Sequence, residues 1–275
     1  MLTIAALTFK EAVRRRILTV TIVLAAAFLA LYGTGVHYGY KDLAAHAGPV
    51  KAMIAPQFLS LGLYFGSFII AFLAVMAAVG SVSGEIENGT IYAVVPRPIR
   101  RSEIIAGKFL GYGLMLTVFA VLFYAAVLLI VRFNTGLSVP VKAGAAALFC
   151  LQPLILLAVT MFGTTFLSTL ANGIAAFMLY AAGVVGGMLE QVGYLAKSPV
   201  LVDIGIASSL IMPADAVYRK IVHSLLSAPG VSLSSYMLGP FGSGSEPSVW
   251  MMVYTGLYIV FLLALAVKIF SKKDI

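Results

Sequence analysis

The chain has 275 residues, of which 61% are hydrophobic and 10% charged, with a formal net charge of +8 and a mean hydropathy of +1.05. A soluble domain carries about 25% charged residues, so this composition excludes a water-covered globule and specifies an integral membrane protein. The pI near 9.6 is not a nucleic-acid signature, because no basic stretch is interleaved with aromatics in a polar setting; a basic excess on a membrane protein marks its cytoplasmic face. The single cysteine, Cys150, lies in an apolar run and excludes an intrachain disulfide or a CxxC metal site.

In chain order, residues 2–16, LTIAALTFKEAVRRR, place Ile4, Leu7 and Phe9 near one another with Lys10, Arg14 and Arg15 opposite. That pattern suits a helix lying on the inner leaflet before the chain turns into the membrane; an extended cytoplasmic start to the first span is the alternative. The basic start followed by an apolar run has the look of a signal peptide, but the Ala25-Ala26-Ala27 triplet sits within the run rather than after it, so the first span is retained. Lipid offers the backbone no hydrogen bonds, so long apolar runs without period-2 alternation are helices. The spans read Ile17–Val36, Phe58–Val82, Ile104–Val131, Ala143–Leu167, Gly173–Leu189 and Val249–Val267. The fourth and fifth come from one charge-free stretch, far too long for a single crossing of a ~30 Å core, with the break at Ser168–Gly173. Extension of the fifth past Glu190 to Leu195 is compatible with its composition.

Orientation follows from lysine and arginine placement. With the N-terminus inside, 11 of 18 basic residues fall on the cytoplasmic segments, and both termini are cytoplasmic. Trp250, Tyr254 and Tyr258 then open the sixth span at the outer interface, where amphipathic rings sit. The external segment 190–248 contains VLVDIGIASSLIM, too short to span and interrupted by Asp203, which reads as re-entrant. Pro213 suits the first turn of a following helix, with Asp215 and Arg219 at an i,i+4 spacing. A surface cap without a gating role and a lid over an exit both fit this segment.

Between the second and third spans, residues 83–108, SGEIENGTIYAVVPRPIRRSEIIAGK, carry three glutamates, four basic residues and two prolines. The middle, Gly89–Val95, is apolar and ends at Pro96, which disfavours helix for the residue before it. Glu85 and Glu87 precede it, where carboxylates favour a helix start, and Ser102 and Glu103 suit the start of the next helix. The segment therefore reads as a short, partly apolar helix held in the cytosol by its flanking charge. Leaving two charges at mid-bilayer would cost ~5 to 7 kcal/mol on insertion scales. Packing on headgroups or on the protein's own bundle, and docking to a soluble partner, both bury its apolar face.

Here the residues resemble a family. Glu85-x-x-x-Gly89-Thr90, an apolar turn, Pro96-Arg97-Pro98-Ile99-Arg100-Arg101 and Gly107-Lys108-Phe109-Leu110 are similar to the signature of ABC-2-type transporter permeases, nearest those associated with multicopper-enzyme maturation. IMPADAVYRK, residues 211–220, is similar to a stretch in the latter; Arg100 stands where such permeases often carry Ser or Thr. The resemblance implies an all-α integral membrane protein: six transmembrane helices in one domain, 1–275, with an N-terminal amphipathic interfacial helix, 1–16. A cytoplasmic coupling helix, within 83–103, would lie between spans two and three, and an external or re-entrant segment would cover 190–248. It further implies docking of that helix onto a separate ATP-binding subunit. Glu85, Glu87, Gly89 and Thr90 would shape its start; Ile91, Tyr92, Val94 and Val95 would form the docking face. Pro96, Pro98 and Arg101 would fix its exit, and Lys108 would anchor the base of span three. A second permease subunit, identical or related, and a bacterial or archaeal inner membrane belong to the same expectation. So does outward movement of a substrate that the sequence does not name. An ABC assembly that does mechanical or scaffold work, and an ATP-independent channel or carrier, are the alternatives.

No Gly-x-x-x-x-Gly-Lys-Ser/Thr loop occurs, and Gly107-Lys108 lacks the upstream glycines, so no cofactor is expected on this chain and ATP with Mg belongs to the partner. Gly62-x-x-x-Gly66 in span two is a candidate for close helix approach, within the subunit or across a dimer. An enzyme is not expected: GSVSG, residues 80–84, lies across the membrane from His37, His46 and His223, so no Ser–His pair forms. His37, His46 and Met53 match no strict metal template. The spans contain only Lys108 as an ionisable residue, with Glu190 at the border of the fifth, which disfavours a proton-coupled carrier.

Overall fold

The computed structural model describes residues 1–46, 51–87, 101–136, 143–226 and 247–272, and these residues form ten helices. They are α1 (Leu2–Arg14), α2 (Arg16–His46), α3 (Lys51–Ala78), α4 (Ser83–Glu87) and α5 (Arg101–Thr135). After these come α6 (Ala143–Gly163), α7 (Thr169–Ala196), α8 (Pro199–Ile211), α9 (Ala214–Leu226) and α10 (Val249–Ser271). Six stretches are long and apolar enough to cross a membrane: α2, α3 continued into α4, α5, α6, α7 and α10. The all-helical, six-span architecture expected from the sequence is the one found.

The helices outrun the charge-free windows, because apolarity marks the depth in lipid whereas a helix continues while its backbone is bonded. Thus α5 starts at Arg101 and ends at Thr135, and α7 runs beyond Glu190 to Ala196. Two breaks differ from expectation. The second span stops as a regular helix at Ala78, and α4 restarts at Ser83. The break after α6 falls at residues 164–168, and Gly173 is inside α7.

Burial sorts the layers. The apolar windows of the second and fourth spans are 67% and 61% buried, against 17% for α2 and 28% for α10, so α3 and α6 form the centre and α2 and α10 the rim. Leu59, Leu63, Leu73, Leu116, Phe149 and Leu156 are fully enclosed there. Outward-facing Leu114, Leu122, Val185, Leu257, Val260 and Phe261 present apolar surface where a spanning helix meets hydrocarbon.

The bundle has two distinct ends. At the elbow end, α1 meets α2 through Arg15, which is extended (φ −69°, ψ 136°), and packs on α5. The approach is close because Gly107 and Gly111 lack side chains: a Cβ there would lie 2.8 Å from Ile4 Cβ and 2.7 Å from the Ala5 carbonyl oxygen. At the hairpin end, α8 and α9 meet at a bend of 106°, with α8 packed along α7 and α9 against α6. Gly193 faces Val202, Gly205 faces Glu190, and Gly183 faces Met212 at the tip. Met212 therefore lies about 20 Å down α7 from Ala196, by the 1.5 Å rise per residue. Among the described residues, segment 190–248 thus contains a bent helix pair, α8 and α9, with its first residues completing α7.

Candidate functional site

The break between α3 and α4 leaves backbone groups that a membrane cannot hydrate, and neighbouring side chains satisfy them. Lys108, on α5 and only 7% exposed, donates to the Ser81 carbonyl and pairs with the Glu85 carboxylate at 2.5 Å. A buried ammonium is tolerated when paired and hydrogen-bonded, and Lys108 is both. The Thr164 hydroxyl accepts from the Ser83 amide at 3.0 Å, and the Asn172 amide donates to the carbonyls of Val79 and Thr160 at 3.2 and 3.0 Å. Ser83 and Thr169 share a hydroxyl contact of 2.9 Å. The break is therefore tied to α5, to the α6–α7 turn and to the start of α7.

Three further contacts hold the same end. The Glu87 carboxylate accepts from the Thr169 amide and the Thr169 hydroxyl, both at 3.1 Å. It occupies the N-terminus of α7, where unpaired amides and the helix dipole favour an anion. Arg101 donates to the carbonyls of Phe270 (3.0 Å) and Ser271 (3.4 Å), and its guanidinium lies 5.8 Å from the centre of the Phe270 ring. That is a cation on the C-terminus of α10, the complementary arrangement. Arg15 pairs with Glu11 at 2.5 Å, donates to the Ala77 carbonyl at 3.5 Å, and lies 6.0 Å from the Tyr112 ring centre.

Of the sequence-selected residues, Glu85, Glu87, Arg101 and Lys108 converge on this end and flank segment 88–100. Gly89, Thr90, Ile91, Tyr92, Val94, Val95, Pro96 and Pro98 lie outside the described residues. Glu85 and Glu87, expected at the start of a following helix, belong to α4 and face Lys108 and the α7 N-terminus. Gly62 and Gly66 have their free space taken within the chain: a Cβ at Gly62 would meet Tyr32 and Val127 of α2 and α5, and one at Gly66 would meet Phe123 of α5. His37 Nδ1 shares a 2.9 Å hydrogen bond with Asn134 Oδ1; the side chains of His46 and Met53 lie outside the described ones.

Sequence reasoning missed one constellation. Arg219, 1% exposed, meets Glu190 of α7 through both carboxylate oxygens, at 2.6 and 2.8 Å. Its Nε lies 3.0 Å from Asp215 Oδ2, an ion-pair distance whose angle is not that of a hydrogen bond, and its Nη2 donates to the Ser209 hydroxyl at 3.2 Å. One guanidinium thereby joins α7, α8 and α9. The i,i+4 pair was visible, but Glu190 looked like a residue at the border of a span. The signal was the charge count, since a lone acid in apolar sequence requires a cation from elsewhere. The tyrosines of α10, expected as interface rings, instead meet the end of α8. Tyr254 and Tyr258 donate to the Leu210 and Ile211 carbonyls at 2.6 and 2.8 Å and so satisfy the C-terminus of α8.

Among the described residues no group of three or more His, Cys, Asp or Glu is arranged to hold a metal ion. A cavity of about 10 Å³, lined by Ser67, Ala71, Gln152, Pro153, Leu156, Tyr180 and Ala214, lies beside the hairpin tip. The Ser67 hydroxyl donates to Gln152 Oε1 at 2.9 Å, and Gln152 Nε2 donates to the Ala214 carbonyl at 3.3 Å.

Residues 2–275 match the family described as ABC-2 family transporter protein. Over 114 residues the chain is 29% identical to the probable ABC transporter permease protein NosY of Pseudomonas aeruginosa, a likeness covering 41% of this chain and 42% of that protein. The family match takes in all but the first residue and so includes all six apolar spans. The chain belongs to the ABC-2 transporter family, as a multi-pass membrane permease subunit.

Proposed function

We propose that this chain couples ATP hydrolysis by a separate ATP-binding subunit to outward movement of a substrate. Residues 85–101 would dock on that subunit, in a bacterial or archaeal inner membrane with both termini cytoplasmic. A second permease subunit, identical or related, would complete the assembly, with ATP and Mg bound on the ATPases. The observation that supports this reading most directly is the anchorage of the two ends of segment 88–100. On one side Glu85 is held to α5 and Glu87 to the start of α7; on the other Arg101 begins α5 and is held to the end of α10. A push on the intervening residues would reach three spans through short polar contacts. The charged join among α7, α8 and α9 would carry such a movement to the bent pair, which would serve as a re-entrant lid.

Pulsed electron paramagnetic resonance tests this. Spin labels at Ser168→Cys and Ser271→Cys, both exposed, in a Cys150→Ser background report on the ends of α7 and α10. In the complex with its ATP-binding subunit, trapping the nucleotide-bound state is expected to shift the distance distribution. An unchanged distribution in a complex that hydrolyses ATP would overturn the reading.

A further inference from the structure

We propose that the elbow between α1 and α2 binds the headgroup of an anionic phospholipid, with Lys10 and Arg14 as its principal cations.

Helix α1 uses one face, Ile4, Thr8 and Ala12, to pack on the bundle, where Thr8 and Ala12 are buried and Ile4 meets Gly107. The expected grouping of Ile4, Leu7 and Phe9 is not found, since Ile4 packs inward and Leu7 lies beside Lys10 and Arg14. Helical periodicity leaves two other faces. One carries Leu2, Ala6 and Val13, with Leu2 81% and Val13 45% exposed. Such an apolar face, on a helix lying against a membrane span, belongs at the acyl boundary. The other carries Lys10 and Arg14, four residues apart and both exposed. With the apolar face in the acyl boundary, Lys10 and Arg14 stand at headgroup depth, on the side away from α5.

The three successive arginines are not equivalent. Arg15 turns inward to Glu11, the Ala77 carbonyl and Tyr112. Arg14 and Arg16 remain exposed, as does Lys10, and none of the three forms an ion pair among the described residues. Leu7, Lys10, Glu11, Arg14 and Arg15 line a shallow hollow on the open side of the elbow. The hollow sets three cations against one carboxylate, and that carboxylate is already engaged by Arg15. Its chemistry calls for an anion, and the exposed Leu7 and the neighbouring apolar face call for that anion to carry an acyl chain. A filled site would stiffen the elbow, and Arg15 would pass that order to Ala77, the penultimate residue of α3, beside the α3–α4 break.

The test uses the full chain in phosphatidylcholine nanodiscs. Trp250, the single tryptophan, is replaced by phenylalanine, and Ala6→Trp puts the sole indole on the apolar face of α1. Quenching by a minor fraction of brominated phosphatidylglycerol is expected to exceed that by brominated phosphatidylcholine. The preference should fall roughly fivefold for each charge removed in Lys10→Gln and in Lys10→Gln/Arg14→Gln. These changes leave the α5-facing side of α1 untouched. Equal quenching by the two lipids would overturn the proposal, as would a preference that survives the double substitution. Loss of the preference on adding inorganic phosphate, where chloride at equal ionic strength leaves it intact, would assign the hollow to a soluble anion and overturn it as well.

Discussion

Arg219 neutralises carboxylates from two helices with one guanidinium, at a depth where water cannot share the load. Breaking a buried pair by removing one partner costs about 3 to 5 kcal/mol, because the other charge stays behind. Arg219→Met is therefore expected to lower the melting temperature in detergent sharply, whereas Glu190→Gln/Asp215→Asn/Arg219→Met, which strands no charge, should recover most of the loss. Equal melting of Arg219→Met and the native chain would show that the triad bears no weight. Gly187 belongs to the same arrangement, since a Cβ there would collide with the Asp215 carboxylate. Lys108 shows what one residue's sequence context can and cannot say. Its position near the end of a span was legible. Its partners were not, because Ser81 and Glu85 reach it only through a backbone break that apolar sequence conceals.

The same limit holds for helices. Six apolar spans and the shortness of residues 199–211 were legible, since apolar length against the thickness of a bilayer decides both. The extent of α7 and the breaks at Val79–Val82 and 164–168 were blurred, because a helix passes through or stops short of an apolar window according to hydrogen bonds from other elements. Those bonds come from Thr164, Asn172 and Glu87. The contact of α1 with α5 was hidden for a related reason. Gly107 read as part of a family motif and Gly111 as nothing in particular, yet their spacing creates the groove that receives Ile4 and Thr8. Gly111→Leu would force α1 away, with an overpacking cost of about 1 to 3 kcal/mol. Limited trypsin digestion is expected to cut such a variant at Lys10 and Arg14 faster than the native chain. Unaltered cleavage would mean that α1 is held elsewhere.

At the scale of the whole molecule, two hydrophobically central helices, α3 and α6, are surrounded by elements fastened to one another at both ends. At the elbow end, Lys108, Glu87, Arg101 and Arg15 join α1, α3, α4, α5, α7 and α10. At the hairpin end, Arg219 and the two tyrosines join α7, α8, α9 and α10. Such a framework suits transmission of a force applied at segment 88–100, whose apolar centre, Ile91–Val95, has the composition of a buried contact. The most direct measurement is a mild-detergent pull-down of the tagged chain with residues 86–97 either native or replaced by a Gly/Ser linker. The account predicts that an ATP-binding subunit accompanies the native chain and is lost with the linker, while both proteins remain inserted. Recovery of the same subunit with the linker chain, or of none with a native complex shown to survive the detergent, would contradict it.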